Sequence, residues 1–379
     1  MTASKQQLLT DLQTHGIQVL DPESLPLTRK GGAGPSDHQA VVIDGQTIMV
    51  PVHTHSARQS PFSVEPGSSS EPNNAQNNSQ SSRLLSKGIP VADITFAERP
   101  RFYELSTADG IPYSQIATLH SRDVLATTVL QNCIRYDQPD TACQFCSIGQ
   151  SLAAGKTIAH KTPAQLAEVA QAAVELDGVQ HMVMTTGTPA THDRGATVLC
   201  DSVRAVKAAV DIPIQVQCEP PKDLIWLHRL REAGADALGL HLEVVNADVR
   251  KRIMPSKASI TVSEYMAAFA YAVPLFGRGQ VSTYILAGLG DSAEEILVLC
   301  DELIAVGVYP FVVPFVPIAG TQLQHHPAPD AEFMQSILDP LGRKLAESDL
   351  TSEKVSAGCA RCGACSSLKS FERKHHASV

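Results

Sequence analysis

The chain has 379 residues, 43% of them hydrophobic, enough for two domains or one large domain with appendages. A net charge of -9 with no basic stripe argues against nucleic acid or an anionic membrane surface as the main partner. No apolar run approaches the roughly 18 residues a membrane span needs, and the polar start MTASKQQLLTDLQ lacks a signal-peptide core, so a reducing, cytoplasmic setting is expected.

Residues 1–20 read as a short helix with Leu8, Leu9, Leu12 and Ile17 on one stripe. The Gly-rich stretch at 31–35 lacks the lysine and serine of a phosphate-binding loop and reads as a turn. Val41 to Val52 predicts a hairpin around Asp44-Gly45, a favoured two-residue turn. His53 and His55 follow; a solvated strand edge is preferred there over a metal pair. These segments make up an N-terminal region over 1–64. Glu65 to Arg83 is rich in Ser, Asn, Gln and Pro and has almost no apolar residues to offset its ordering entropy. A disordered linker is therefore expected over 65–90.

The chain then changes character. Val124–Leu130 is a β-branched apolar run ending at a cysteine-bearing loop. Thr162-Pro163-Ala164-Gln165 is a capping-box start with proline at the first helical position. Strands are expected over 181–186, 212–217, 237–242, 281–286 and 311–316. Helices are expected over 198–210, 221–233, 261–276 and 293–306. Strand–helix repetition with short turns implies α/β architecture, a parallel sheet with crossover helices. A partial (β/α)6 or full (β/α) barrel over 91–325 follows, with its chemistry at the C-terminal ends of the strands. Residues 326–379 read as a helical tail that carries a second cysteine motif.

Nine cysteines are present; six lie in two tight groups, which favours metal sites over a disulfide framework. Cys133, Cys143 and Cys146 are spaced C-x9-C-x2-C. Three thiolates can hold three irons of a [4Fe–4S] cluster and leave the fourth iron open to a small chelating ligand, for which the amino and carboxylate groups of S-adenosylmethionine are suited. The Cys143–Cys146 pair alone also fits a zinc or redox site. Cys359, Cys362 and Cys365 are spaced C-x2-C-x2-C and suit an auxiliary iron–sulfur cluster, a zinc site completed by His375 or His376, or a redox motif.

Several segments together resemble the radical S-adenosylmethionine superfamily, in the expected order: HMVMTTGTP at 181–189, GLHLE at 239–243, STYILAGLGDSAEE at 282–295 and VVPFVPIAGT at 312–321. TADGIPY, DVLATTVLQ, CQFCSIGQSLAAGKTIAHKTPAQLAEVA, QVQCEPP, GVYPFVVPFVPI and CARCGACS are similar to one subfamily, the radical SAM proteins encoded beside Nit1-type nitrilases in cyanide-assimilation gene clusters. The resemblance implies reductive cleavage of S-adenosylmethionine at the Cys133/Cys143/Cys146 cluster and hydrogen abstraction from a small-molecule substrate. It also implies an electron donor such as a flavodoxin or ferredoxin, and nitrilase-cluster proteins as companions. Cofactor contacts implied by it are Phe145 in the cysteine turn, Thr185, Thr186 and Gly187 after the second strand, Glu243, Arg250 toward the methionine carboxylate, and Gly288 near adenine. Two departures stand out: the first cysteine gap is nine residues rather than three, and Thr185-Thr186-Gly187 replaces the usual Gly-Gly-Glu.

Toward the substrate, Glu219, Cys218 and Tyr284 are the catalytic candidates. Glu219 ends a barrel strand and needs either a ligand or a salt bridge to Arg194 or Lys222. Cys218 is a hydrogen-atom donor, a cluster ligand or a buried thiol. Tyr284 is a radical relay or a packing residue. A two-cluster electron carrier without S-adenosylmethionine chemistry is the alternative function. An aldolase-like zinc barrel is the third, disfavoured because no strand carries a convincing Schiff-base lysine.

Overall fold

The structure, a computed structural model, describes residues 4–19, 38–66 and 81–376; the turn expected at 31–35 lies outside the described residues. Ser4 caps the first helix, Lys5–His15, by accepting from the Gln7 amide. The helix lays Leu9 and Leu12 on an antiparallel sheet of five strands. These are β1 (His38–Ile43), β2 (Gln46–Pro51), β3 (Phe62–Pro66), β4 (Ser81–Ser86) and β5 (Ile89–Phe96), in the order β2-β1-β5-β4-β3. The β1–β2 hairpin turns at Asp44 and Gly45, both left-handed, as expected.

Part of the stretch expected to be linker is strand. β3 reaches Pro66, and β4 and β5 pair across a second left-handed turn at Lys87-Gly88. The polar composition hid a two-residue alternation: Ser82 and Leu84 point inward, Ser81 and Arg83 outward. Leu84, Ile94 and Phe96 then complete the small core with Val41, Ile48 and Val50. Residues 67–80 lie outside the described residues.

The second sheet has seven strands: β6 (Thr118–His120), β7 (Val124–Thr128), β8 (His181–Thr185), β9 (Ile214–Gln217), β10 (Ala237–Gly239), β11 (Val281–Ala287) and β12 (Val308–Pro314). They run in sequence order, with β6 and β12 as the two edges. β7 to β12 are all parallel, and β6 adds antiparallel to β7. This is the partial, open (β/α)6 form of the expected barrel. The crossovers Pro163–Asp177, Ala196–Ala209, Ile225–Glu232, Val262–Phe276 and Ala293–Val306 cover its outer face. Three of them begin with complete capping boxes, Thr162/Gln165, Thr261/Glu264 and Ser292/Glu295. Alternation sorts each strand: Met182 and Met184 of β8 join the helix-side core, whereas Val183 and Thr185 face the hollow of the half-barrel.

The tail fills what an open barrel leaves exposed. Helices Ala331–Glu347 and Leu368–His376 pack together, and the buried Glu372 carboxylate accepts from the Tyr309 hydroxyl of β12 and from the Ser352 amide and hydroxyl. Between these helices the chain dips inside. Gly358, at φ +99°, lies so close to the Gln215 side chain of β9 that a Cβ would overlap it. Its amide donates to His181 Nδ1 at 3.1 Å. On the other side, the Ala364 carbonyl accepts from the Met49 amide at 2.8 Å and from Gln13 Nε2 at 3.0 Å. The second cysteine motif is thus clamped between the half-barrel and the N-terminal unit.

Candidate metal and nucleotide site

Hydrogen bonds to the neighbouring strand end fix the first cysteine loop. Gly187 N donates to the Leu130 carbonyl (2.8 Å) and Ile134 N to the Thr188 carbonyl (2.9 Å), binding the segment around Cys133 to the turn after β8. Gly187 sits so close to the Asn132 carbonyl that no side chain fits between them. The nine-residue gap is folded back on itself: Tyr136 N donates to Cys133 O, Ala142 N to Gln138 O, and Thr141 Oγ1 to Arg135 O. Cys146 N then donates to Cys143 O at 2.9 Å, closing the tight turn around Phe145.

Cys146 interacts electrostatically with both Cys133 and Cys143, so the three thiols share one neighbourhood. Burial, with Glu243 next, pushes the Cys143 thiol far up. Burial also carries Cys146 up to about 12, against a backbone N–H at Ile148. All three are free thiols, so a metal must displace their protons. Among the described residues no three His, Cys, Asp or Glu side chains converge on a point fit for one ion. The ligands of a polynuclear cluster bind separate irons and need no such convergence. Three thiols with no fourth cysteine or histidine in the loop fit a [4Fe–4S] cluster with one open iron.

Cys146 of the first group and all three cysteines of the second open on a single cavity of about 390 Å³ inside the half-barrel, within the usual size range of ligand sites, about 300–1,000 Å³. Phe145 and Cys146 lie on its wall, as do Thr185, Thr186, Gly187, Glu243 and Tyr284. Cys359, Cys362 and Cys365 line it as well. Most of the predicted cofactor residues are therefore brought together. Thr185 Oγ1 bonds Thr128 Oγ1 at 2.8 Å. Glu243 has a left-handed backbone, φ +69°, and its carboxylate is held by buried Lys257 at 2.6 Å.

The second group has its own polar shell. Gln217 Nε2 donates to Cys359 Sγ at 3.2 Å, and the Cys359 amide donates to Gln215 Oε1 at 3.2 Å. Tyr284 hydrogen-bonds Cys359, Ser121 hydrogen-bonds Cys362, and His120 Nε2 lies 3.5 Å from Cys365 Sγ. Burial drives the Tyr284 hydroxyl well above its usual range, with the three cysteines adding to it. The ring of Tyr284 stacks edge-on with His241 and Phe311. It is both a packing residue and a cysteine partner.

Cys133 and Cys143 are not on the cavity wall, and neither are four of the residues predicted to meet cofactor or substrate. Glu219 is gripped by Arg135, a residue of the first cysteine loop, while Arg194 stands off at 4.0 Å. Burial works against the Glu219 carboxylate, but Arg135 and Lys257 hold it below the ordinary range. Cys218 faces the outer helices near Cys200, where burial pushes it to about 12; it is the buried thiol. Arg250 is fully enclosed and donates to the carbonyls of Leu242, Val244 and Ile260, so its guanidinium braces a loop. Gly288 packs on Pro329, and its carbonyl lies 3.0 Å from His326 Nε2. His375 pairs with Asp339 instead of completing a zinc site. Sequence reasoning missed Arg135 and His120. The only signal for either was an isolated charge or imidazole in an otherwise unremarkable stretch.

Residues 136–303 match the family model described as Radical SAM superfamily. The matched span is thus similar to a radical SAM domain and takes in the strands β8 to β11 of the open (β/α)6 sheet. Two curated relatives are similar to it. Bacteriochlorophyllide c C-7(1)-hydroxylase of Chlorobaculum limnaeum is 26% identical over 213 residues, 51% of this chain and 52% of that protein. Lipoyl synthase of Porphyromonas gingivalis is 26% identical over 172 residues, 44% of this chain and 56% of that protein. The chain spans about half the length of the curated relatives it matches. Among solved structures, HydG, a maturase of the [FeFe]-hydrogenase, superposes with TM-score 0.44 at 14% identity, covering 57% of this chain and 48% of that one. Streptococcus suis SuiB bound to S-adenosylmethionine gives 0.42 at 13% identity, with coverage of 60% and 45%. Among the described residues no helix is long and apolar enough to cross a membrane.

Proposed function

We propose that this chain binds S-adenosylmethionine at a [4Fe–4S] cluster held by Cys133, Cys143 and Cys146 and uses the pair to abstract hydrogen from a small-molecule substrate. The observation that carries the reading is the common cavity: Cys146, the Thr185–Gly187 turn and Glu243 all line it. When bound, cluster and nucleotide supply one-electron cleavage of the sulfonium and a carbon-centred radical. The chain's residues do the rest. Thr185 and Thr186 offer hydroxyl and backbone groups toward the methionine amino group. Lys257 holds one oxygen of Glu243 in place, so that the other can accept from that amine. Val183, Ile148 and Leu286 present apolar wall and exclude water from the reacting centre.

Cys359, Cys362 and Cys365 are proposed to hold an auxiliary cluster facing the substrate end of the cavity, and a flavodoxin- or ferredoxin-like donor to supply the electron. The nitrile or cyanide-related context, with nitrilase-cluster proteins as companions, is supported by the subfamily resemblance of the segments named above.

The test is anaerobic reconstitution with iron and sulfide, then dithionite and S-adenosylmethionine, with 5′-deoxyadenosine read by mass spectrometry. Product from the wild type and none from Cys143→Ala is expected. Equal product from both rejects the reading.

A further inference from the structure

A C-x2-C-x2-C segment supplies three donors from one short stretch, and a closed metal centre needs a fourth from elsewhere in the fold. Four side chains are placed for comparison. His181 already uses Nδ1 to accept from Gly358 N, and His375 is engaged by Asp339 outside the hollow. Cys218 points into the helix layer. His120 differs from all three. Its Nε2 lies 3.5 Å from Cys365 Sγ, and it lines the same cavity wall as Cys359, Cys362 and Cys365.

The placement of His120 is built into the topology. β6 is the antiparallel strand added at the open edge, and His120 pairs with Val124 at its end. Both face the hollow, and His120 is only 8% exposed. Ser121 then turns left-handed, φ +60°, and bonds Cys362. The edge strand thus delivers two consecutive side chains to two different cysteines of the motif.

We infer that His120 is the fourth protein ligand of the metal centre formed by Cys359, Cys362 and Cys365, binding through Nε2. This rests on reading the second trio as an iron–sulfur site. Binding releases the thiol protons and replaces the Nε2–Sγ contact with one metal–nitrogen and one metal–sulfur bond. A neutral imidazole in place of a thiolate leaves the centre less negative, which raises its reduction potential. It also closes the centre, so the substrate meets the cavity wall and not a vacant iron.

The test uses the full chain carrying Cys133→Ala, Cys143→Ala and Cys146→Ala, so that only the second centre can load. After anaerobic reconstitution it is expected to hold about four irons per chain. In the reduced state, electron–nuclear resonance is expected to show a nitrogen coupling that changes isotope pattern when only histidine is 15N-labelled. His120→Ala loses that coupling. His120→Cys keeps the iron, loses the nitrogen signal and lowers the midpoint potential; its circular dichroism and melting temperature report that it still folds. Iron with no histidine nitrogen coupling in the parent overturns the assignment of His120 and leaves the cluster reading standing. No iron in the parent overturns the cluster reading, and the assignment with it.

Discussion

Arg135 holds Glu219 with two parallel hydrogen bonds, Nε to Oε1 at 2.8 Å and Nη2 to Oε2 at 2.9 Å, and both side chains are buried. The pair ties the first cysteine loop to the end of β9. Removing one partner of such a pair strands a buried charge, at a cost of about 3–5 kcal/mol. Glu219→Ala is expected to destabilise the chain by that order in chemical denaturation. It is also expected to lower iron retention at the first site, because Arg135 flanks Cys133 and Cys143. The pair replaced together, Arg135→Met with Glu219→Met, is expected to recover most of the stability but not the iron.

Gly187 touches the backbone of the cysteine loop itself. A methyl at this position meets the Asn132 carbonyl, which belongs to main chain and cannot swing aside. Overpacking of this kind costs about 1–3 kcal/mol. For Gly187→Ala we expect a lower melting temperature and a shifted Cys133 segment, seen as loss of cluster absorbance after reconstitution. Thr186→Ala, on the same wall, is expected to keep the cluster and weaken nucleotide binding.

Two buried histidines set the acid limb of stability. Burial lowers His181 to about 3, with Arg361 and Lys369 adding to it; burial and then Lys257 bring His241 to about 3. Both stay neutral in the fold, while an unfolded chain protonates them below about 6.5. Unfolding therefore takes up protons between these values, and stability falls as pH falls through that window. Urea midpoints of the metal-free chain should drop steadily as pH falls from about 7 toward 4. His181→Asn, which keeps an acceptor for the Gly358 amide, should flatten part of that slope.

Tyr284 and Gln217 both reach Cys359. Hydrogen bonds to a ligand sulfur stabilise the more negative, reduced state of a cluster. Tyr284→Phe keeps the ring contacts with His241 and Phe311 and is expected to change stability by about 0.5–1.5 kcal/mol at most. The midpoint potential of the second centre should fall, measured by redox titration, with the first centre unmoved.

What could be read from the sequence was local. Thr162 and Gln165 are three residues apart, and the capping box formed as written. The strands expected from Val124 onward, one β-branched run and five others set between helices, became β7 to β12, and the two cysteine motifs announced themselves by spacing. What could not be read was decided across distance. Arg135 and Glu219 are 84 residues apart, and no local pattern marks them as partners. Arg250 sits in a basic stretch that suggests an anion, yet its guanidinium turns to three carbonyls inside the core. Leu84 and Ile94 are strand residues only because Leu9 and Leu12 cover them, which composition alone cannot convey. The entry of the Cys359 segment into the half-barrel depends on Gly358 meeting Gln215 of β9, a contact that no local pattern announces.

The clamp on Ala364 has a consequence for biosynthesis. Gln13 and Met49 leave the ribosome long before Ala364, the residue whose carbonyl they share. Until it arrives, the half-barrel is an open trough, with Gln215 and Gln217 facing water. Contacts spanning so much of the chain form slowly, and the nascent intermediate exposes sheet that the finished protein hides. Iron delivered at that stage would meet a first cysteine trio without its enclosing chamber, so loading of the proposed clusters is expected to wait for the Cys359 segment to dock.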